Sequence, residues 1–155
     1  MTRDWVGTKR TRSDAETRRF GELLGERIRR GACVCLGGPL GAGKTVLVAG
    51  LCRGLGARDA VTSPTFILME SFVGRLPIVH IDLYRLEHER EIEDIGVFDL
   101  LGGDTVLIAE WGERSPSLHA AADLDLRIEP EDGDARTIRV YATPSFARDL
   151  GGIEW

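Results

Sequence analysis

Hydrophobic and polar positions along the chain alternate between two periods, and the switches between them divide it into elements. Ser13-Asp14-Ala15-Glu16 has capping-box spacing, and Phe20, Leu23, Leu24 and Ile28 then recur on one helical face until Gly31. Ala32 to Leu36 is a short apolar strand. Val46 to Cys52 opens an apolar helix running through Leu55, with Gly54 and Gly56 as terminators. A loop at 62–65 feeds a strand over 66–70. Gly74 then turns the chain into a second strand, Pro77 to Asp82. Glu89 to Leu101 reads as an acidic helix with Ile92, Ile95 and Leu100 toward the core, closed by Gly102-Gly103. Thr105 to Glu110 is a continuous apolar strand of the kind buried inside a parallel sheet. Leu124, Leu126 and Ile128 alternate with charged residues, Glu131 to Asp134 turns, and Ile138 and Val140 alternate again, which is a hairpin. The pattern predicts an α/β domain with a mainly parallel central sheet, flanking helices and an antiparallel C-terminal hairpin. One domain over 1–155 is expected, with 1–12 and 146–155 as flexible tails.

Composition narrows this picture. With 43% hydrophobic and 29% charged residues the chain has the balance of an ordinary globule. No apolar run approaches the roughly 18 residues of a membrane span, and the charged N-terminus does not read as a signal peptide, so a cytoplasmic protein with no membrane contact is expected. Cys33, Cys35 and Cys52 lie in apolar segments. Without further ligands nearby they read as small buried hydrophobes of a reducing compartment rather than as a metal pair. The net charge of −5 is unevenly spread: nine Arg/Lys stand against five acids in residues 1–30, and seven against eighteen in residues 80–155. A basic arm before an acidic half fits either solvated helix arginines or contacts with complementary partners and RNA. An acidic chain is a poor nucleic-acid binder unaided.

The strongest chemical signal lies between the first strand and the apolar helix. Gly38-Pro39-Leu40-Gly41-Ala42-Gly43-Lys44-Thr45 has glycines, lysine and threonine at every spacing of a phosphate-binding P-loop. Such a loop turns consecutive backbone N–H groups inward around phosphate oxygens. Its lysine reaches the β- and γ-phosphates, and its threonine hydroxyl can ligate Mg²⁺. Lys9 and Lys44 are the chain's two lysines, so Lys44 is not drawn from a lysine-rich background. The fold class is therefore that of a P-loop NTPase, and the ligand a nucleoside triphosphate.

Two apolar strands end in carboxylates, Asp82 and Glu110, and ligands of open parallel sheets bind beyond the carboxyl ends of strands. Each is a candidate for the acid that holds Mg²⁺, or alternatively a cap for the next element. The hydroxyls at 62–65 suit either a γ-phosphate-sensing loop or ordinary turn chemistry. His80, on the strand face of Ile78 and Asp82, is either a core histidine or a proton-transfer group. His88 and His119 read as surface residues. Trp111 reads as core packing or a partner contact.

Taken together, Leu40-Gly41-Ala42-Gly43-Lys44-Thr45, the Ser-Pro-Thr-Phe run at 63–66, His80-Ile81-Asp82-Leu83-Tyr84-Arg85-Leu86 and Glu110-Trp111 resemble the TsaE (YjeE) family. These are small bacterial ATPases required for threonylcarbamoyl-adenosine formation on tRNA, and the resemblance runs from Ser13 to Tyr141. It implies ATP hydrolysis in complex with TsaD and TsaB proteins, with tRNA met only through that complex. By position it implies that Leu40, Gly41, Ala42, Gly43, Lys44 and Thr45 cradle the phosphates and that Thr45 and Glu110 hold Mg²⁺. Asp82 would orient water or the metal shell, with Lys44, Asp82 and Glu110 as the catalytic set. The 62–65 loop would act as a switch, and the segment Ser13 to Thr17 would approach the nucleotide base. Two positions depart from the family pattern: Pro39, often acidic there, which removes one backbone N–H, and Val46, often a hydroxyl residue. A small-molecule kinase would need an acceptor pocket and an arginine-rich lid, and no such insertion is visible. A GTPase would need an Asn-Lys-x-Asp motif, which is absent. A binding module without turnover is the remaining alternative.

Overall fold

A computed structural model of the chain describes residues 2–58 and 69–155. The loop expected at 62–65, and the first part of the strand expected from 66, lie outside the described residues. Seven strands, β1 (Asp4–Thr11), β2 (Cys33–Gly37), β3 (Met69–Val73), β4 (Pro77–Asp82), β5 (Val106–Glu110), β6 (Leu124–Pro130) and β7 (Arg136–Ala142), form one sheet. Its order is β1-β7-β6-β2-β5-β4-β3. The central strands β6, β2, β5 and β4 run parallel, while β7, β1 and β3 extend the sheet antiparallel at its two sides. The expected C-terminal hairpin is β6–β7, with β6 also belonging to the parallel core.

Helices α1 (Asp14–Glu26), α2 (Lys44–Gly54), α3 (Arg90–Asp94), α4 (Pro116–Ala121) and α5 (Pro144–Asp149) cover both faces. The period of two along β2 explains the division. Val34 and Leu36 face the core built with Phe20, Leu24 and Ile28 of the α1 segment, Leu47, Val48 and Leu51 of α2, and Phe146 of α5. Cys33 and Cys35 face the opposite core, with Ile81, Leu107, Ile92 of α3 and Leu118 of α4. All three cysteines are buried free thiols. Burial pushes the Cys52 thiol up to about 12. The contact with Cys33, together with burial, pushes Cys35 far above the thiol range. They pack as hydrophobes.

The expected N-cap is present, with Ser13 Oγ accepting from the Glu16 N–H at 3.1 Å; the Glu16 carboxylate reaches back to the residue before the cap, accepting from the Arg12 N–H at 2.6 Å. Leu23, on the predicted apolar face, is instead 38% exposed. Three expectations need correction. The acidic helix expected over 89–101 is broken, with α3 ending at Asp94, Gly96 at φ 77° and a 3-10 turn over Val97–Leu100. This break turns Ile95 outward, 40% exposed, while Ile92 and Val97 take the core positions. The stretch 1–12 is not a tail, because its residues 4–11 form β1, paired with β7 through a register shift between Trp5 and Gly7. Nor is 146–155 loose. Phe146 and Leu150 are buried, Arg27 donates to the Asp149 and Gly151 carbonyls at 3.0 and 2.6 Å, and Trp155 packs edge-on to Phe20. Charge density hid the first of these segments: only alternate residues of an edge strand need be apolar, and polar edges are what such strands tolerate.

Candidate nucleotide site

The carboxyl ends of β2, β4 and β5 meet in register, with Asp82 opposite Glu110 and Leu36 opposite Glu110. The P-loop leaves β2 at this edge and returns as α2, so Lys44 and Thr45 begin the helix directly above the strand-end carboxylates. Gly43 caps the helix at φ 98°, a left-handed conformation, and Gly38 sits at φ 147° with the β6 carbonyl of Ile128 so close that a Cβ would lie 2.4 Å from it. The expected phosphate cradle thus has the backbone shape that its glycines permit. Pro39, the departure that removes an N–H, serves the loop through its carbonyl, which accepts from the Ala42 N–H at 3.1 Å.

Lys44 is 5% exposed. Its Nζ donates to the Gly38 and Pro39 carbonyls at 2.6 and 2.9 Å, so the ammonium is folded back over its own loop. Trp111 covers it, with the ammonium 4.0 Å from the ring centroid. Desolvation lowers the lysine's proton affinity, and the charges of Glu110, Glu113 and Asp82 oppose that shift. Replacing the two neutral carbonyl acceptors by anionic phosphate oxygens would exchange hydrogen bonds charged on one side for ones charged on both.

Glu110 is held at both carboxylate oxygens. Oε1 accepts from the Thr45 hydroxyl at 3.2 Å and Oε2 lies 2.7 Å from His80 Nε2. His80 is fully buried and its Nδ1 has no partner. The neutral tautomer with Nε2–H donating to Glu110 suits this geometry, since a protonated ring would leave a buried N–H donor unpaired. Asp82, two residues farther on the same face, accepts from the Tyr84 N–H at 2.9 Å. Burial raises its proton affinity, the Tyr84 hydrogen bond opposes this, and the neighbouring Glu110 charge adds to it.

Of the residues expected in the site, the fold gathers Lys44, Thr45, Asp82 and Glu110 at one edge of the sheet. Leu40 is at the exposed tip of the loop, 73% accessible. Thr17 is different. Its side chain is fully buried, 2.7 Å from the Thr11 hydroxyl, and it accepts from Arg136 Nη1 at 3.3 Å. It reaches the P-loop through that arginine.

Three contributors escaped sequence reasoning. Trp111 has φ 59°, rare for a residue with a side chain, and its N–H is tied to the Leu36 carbonyl at 2.8 Å. That conformation turns the chain sharply after Glu110, and the indole comes to lie over Lys44. Its position directly after a strand-end carboxylate was the available signal. Glu113 faces the start of the loop, its Oε2 3.1 Å from where a Gly37 Cβ would stand. Arg136 donates from Nε to the Ala42 carbonyl at 2.7 Å, and nothing in its local sequence marks it.

Among the described residues, no group of three or more His, Cys, Asp or Glu side chains is disposed to hold a metal. A hydroxyl and a single carboxylate, as Thr45 and Glu110 offer, instead suit Mg²⁺, which keeps water and phosphate oxygens as its other ligands. The donors present therefore fit a Mg²⁺-nucleotide: a glycine-shaped loop, a buried ammonium held by exchangeable acceptors, and a hydroxyl–carboxylate pair.

Known proteins resemble this chain over most of its length. The family described as threonylcarbamoyl adenosine biosynthesis protein TsaE matches residues 11–138. The chain is 43% identical over 107 residues to the tRNA threonylcarbamoyladenosine biosynthesis protein TsaE of Treponema pallidum, covering 69% of this chain and 79% of that one. It is 35% identical over 139 residues to the protein of that name from Haemophilus influenzae, covering 85% and 87%. The crystal structure of Bacillus subtilis YdiB superposes with a TM-score of 0.73 at 25% identity, covering 97% of this chain and 93% of that one.

Proposed function

The chain belongs to the TsaE family, and from that premise we propose that it is a Mg²⁺-dependent ATPase acting in the biosynthesis of tRNA threonylcarbamoyladenosine. Its ATP turnover drives the cycle of a TsaD–TsaB transferase complex in the cytoplasm, and it meets tRNA only through that complex. The relatives' names supply the pathway. Among the described residues, no helix is long and apolar enough to cross a membrane.

The observation that carries the hydrolytic reading is the Thr45–Glu110 contact of 3.2 Å beside the folded-back Lys44 ammonium. It unites the hydroxyl at the end of the P-loop with a strand-end carboxylate, the donor pair that a Mg²⁺-triphosphate requires. Bound Mg²⁺ would neutralise charge developing on the phosphate oxygens. Lys44 exchanges its loop carbonyls for phosphate oxygens, and the main-chain N–H groups of Gly41, Gly43, Lys44 and Thr45 orient the phosphates, that of Ala42 being held by the Pro39 carbonyl. Glu110 is kept in one rotamer by Thr45 and His80. Asp82, one strand away and more basic than an ordinary carboxylate, orients the attacking water and can accept its proton. Trp111 shields Lys44 from bulk water, which strengthens its pull on the γ-phosphate.

Phosphate release from ATP, measured with and without Mg²⁺, alone and with a TsaD–TsaB pair, tests this reading. Mg²⁺-dependent hydrolysis that the pair accelerates is expected. Transfer of the γ-phosphate to a small acceptor, or no hydrolysis in the assembled complex, would overturn it.

A further inference from the structure

Arg136 opens β7, paired with Thr11 of β1 on one side and Pro130 of β6 on the other. It is an arginine only 8% exposed, in a chain whose other arginines among the described residues are more accessible. Its guanidinium spans three elements. Nε donates to the Ala42 carbonyl at 2.7 Å. Nη1 donates to Thr17 Oγ1 at 3.3 Å and to the Asp134 carbonyl at 3.1 Å. Nη1 also lies 2.7 Å from Asp14 Oδ1, a charge contact without directed hydrogen-bond geometry. Thr17 in turn is fixed by Thr11, both with no exposed surface. A Cβ on Gly43 would stand 2.1 Å from Arg136 Nε, so the guanidinium is pressed against the P-loop backbone itself.

The consequence for the loop follows from peptide geometry. In a trans peptide the carbonyl and the following N–H point in opposite directions. Holding the Ala42 carbonyl toward Arg136 therefore turns the Gly43 N–H away from the guanidinium, the orientation of a loop whose amides serve a ligand on the other side. The planar fork adds a second property: one rigid group fixes the loop relative to the start of α1 through Nη1 while Nε holds the loop itself. A lysine could make one of these bonds but not all of them together.

We infer that Arg136 is a positioning residue of the nucleotide site, setting the Ala42–Gly43 peptide of the P-loop and coupling it to Asp14 and Thr17 at the start of α1. The inference rests on the ATP-binding reading given above. It makes the segment Ser13 to Thr17, expected at the nucleotide base, a support of the phosphate loop, acting from behind it.

The test measures ATP affinity by titration calorimetry for the parent, Arg136→Gln, Arg136→Lys, Thr17→Val and the Arg136→Gln/Thr17→Val double variant. Urea midpoints are recorded alongside, and affinities are taken well below each unfolding transition. Arg136→Gln is expected to bind ATP about tenfold more weakly while folded, the effect of a lost charged hydrogen bond. Arg136→Lys should recover part of the affinity. Thr17→Val should weaken binding in the parent background but not in the Arg136→Gln background, because the strut is already gone. A purely structural arginine lowers the urea midpoint and leaves the affinity of the folded protein unchanged, and that result overturns the inference. If Arg136→Gln does not fold, parent-like affinity in Thr17→Val overturns it alone. A parent that binds no ATP removes the nucleotide reading first and this inference with it, whereas tight parental binding with parent-like Arg136→Gln removes only the inference.

Discussion

Gly50→Ala sets two helix effects against each other, and the structure decides between them. Gly21 and Gly25 on α1 face Gly50 and Gly54 on α2, a reciprocal pair of four-residue spacings that lets the two backbones touch. A Cβ on Gly50 would lie 2.2 Å from the Arg18 carbonyl oxygen and 2.9 Å from the Gly21 Cα. One on Gly54 would lie 2.2 Å from the Glu22 carbonyl, and ones on Gly21 and Gly25 would lie 2.7 and 2.3 Å from the Leu47 and Leu51 carbonyls. On a free helix, alanine for glycine gains about 0.5–1 kcal/mol. Here the obstructing atoms are backbone, so the helices must part by roughly 1 Å to restore ordinary contact distances. Parting them loosens Phe20 and Leu24 against Leu47 and Leu51, all essentially inaccessible in the core. Overpacking of this kind costs about 1–3 kcal/mol. The second effect wins, for a net loss of about 1–2 kcal/mol, or about 2–8 °C in Tm for a chain of this size. Urea unfolding followed by circular dichroism reads it as a lower midpoint at unchanged slope. Gly21→Ala/Gly50→Ala should lose less than the sum of the two single changes, since helices already parted admit the second methyl. A Gly50→Ala protein as stable as the parent, or more stable, would show that the helix contact is not the tight one described.

Three further outcomes follow from the site. Lys44→Ala removes the buried ammonium, and ATP affinity should fall about 10- to 150-fold, the loss of a charge-assisted hydrogen bond of about 1.5–3 kcal/mol; unchanged affinity by calorimetry would remove Lys44 from the phosphate site. Glu110→Ala leaves Thr45 without its carboxylate, so the Mg²⁺ dependence of ATP binding should flatten while the fold persists, and a Mg²⁺ titration identical to the parent would contradict the metal assignment. Asp82→Asn should slow hydrolysis without preventing ATP binding, and normal single-turnover rates would exclude Asp82 from the reaction. The same variant carries a pH signature. The folded-state pKa of Asp82 is raised above the ordinary 3.8, so between those two values the folded state holds a proton that the unfolded state has lost. The contribution of Asp82 to parental stability therefore falls as pH rises through that window. Asp82→Asn, free of this penalty and able to keep the Tyr84 hydrogen bond, should match the parent at pH 3 and be at least as stable at pH 7. A larger deficit at pH 7 than at pH 3 would reverse the sign.

Much of the candidate nucleotide site is legible in the chain because its parts are local. The P-loop is eight consecutive residues, and its glycines announce their backbone conformations directly, as φ 98° at Gly43 bears out. Asp82 and Glu110 were recognisable because each ends an apolar strand, while the parallel register that brings them opposite each other belongs to the assembled sheet. The strand period also placed His80 on the face of Asp82, but not its 2.7 Å contact with Glu110, which depends on the neighbouring strand. Misreadings fell where tertiary contacts outweigh local pattern. Residues 4–11 are polar enough to pass for a tail, yet β7 offers them a ladder of backbone hydrogen bonds. The helix expected over 89–101 broke where Gly96 could adopt a positive φ and Val97 could replace Ile95 in the core.

By itself, then, the sequence determined the glycine-rich loop, the two strand-end carboxylates and the α/β alternation that sets them at one end of a sheet. Each is written in short-range spacing, and backbone sterics and burial translate spacing into geometry without long-range information. Only the tertiary structure decided what stands around that loop. Arg136 meets Ala42 across 94 residues of chain. Trp111 lies over Lys44, and two pairs of glycines bring α1 against α2. These contacts depend on how strands are ordered and how closely helices approach. That is a property of the packed whole, since no local pattern records which distant side chain will fill the space behind a turn.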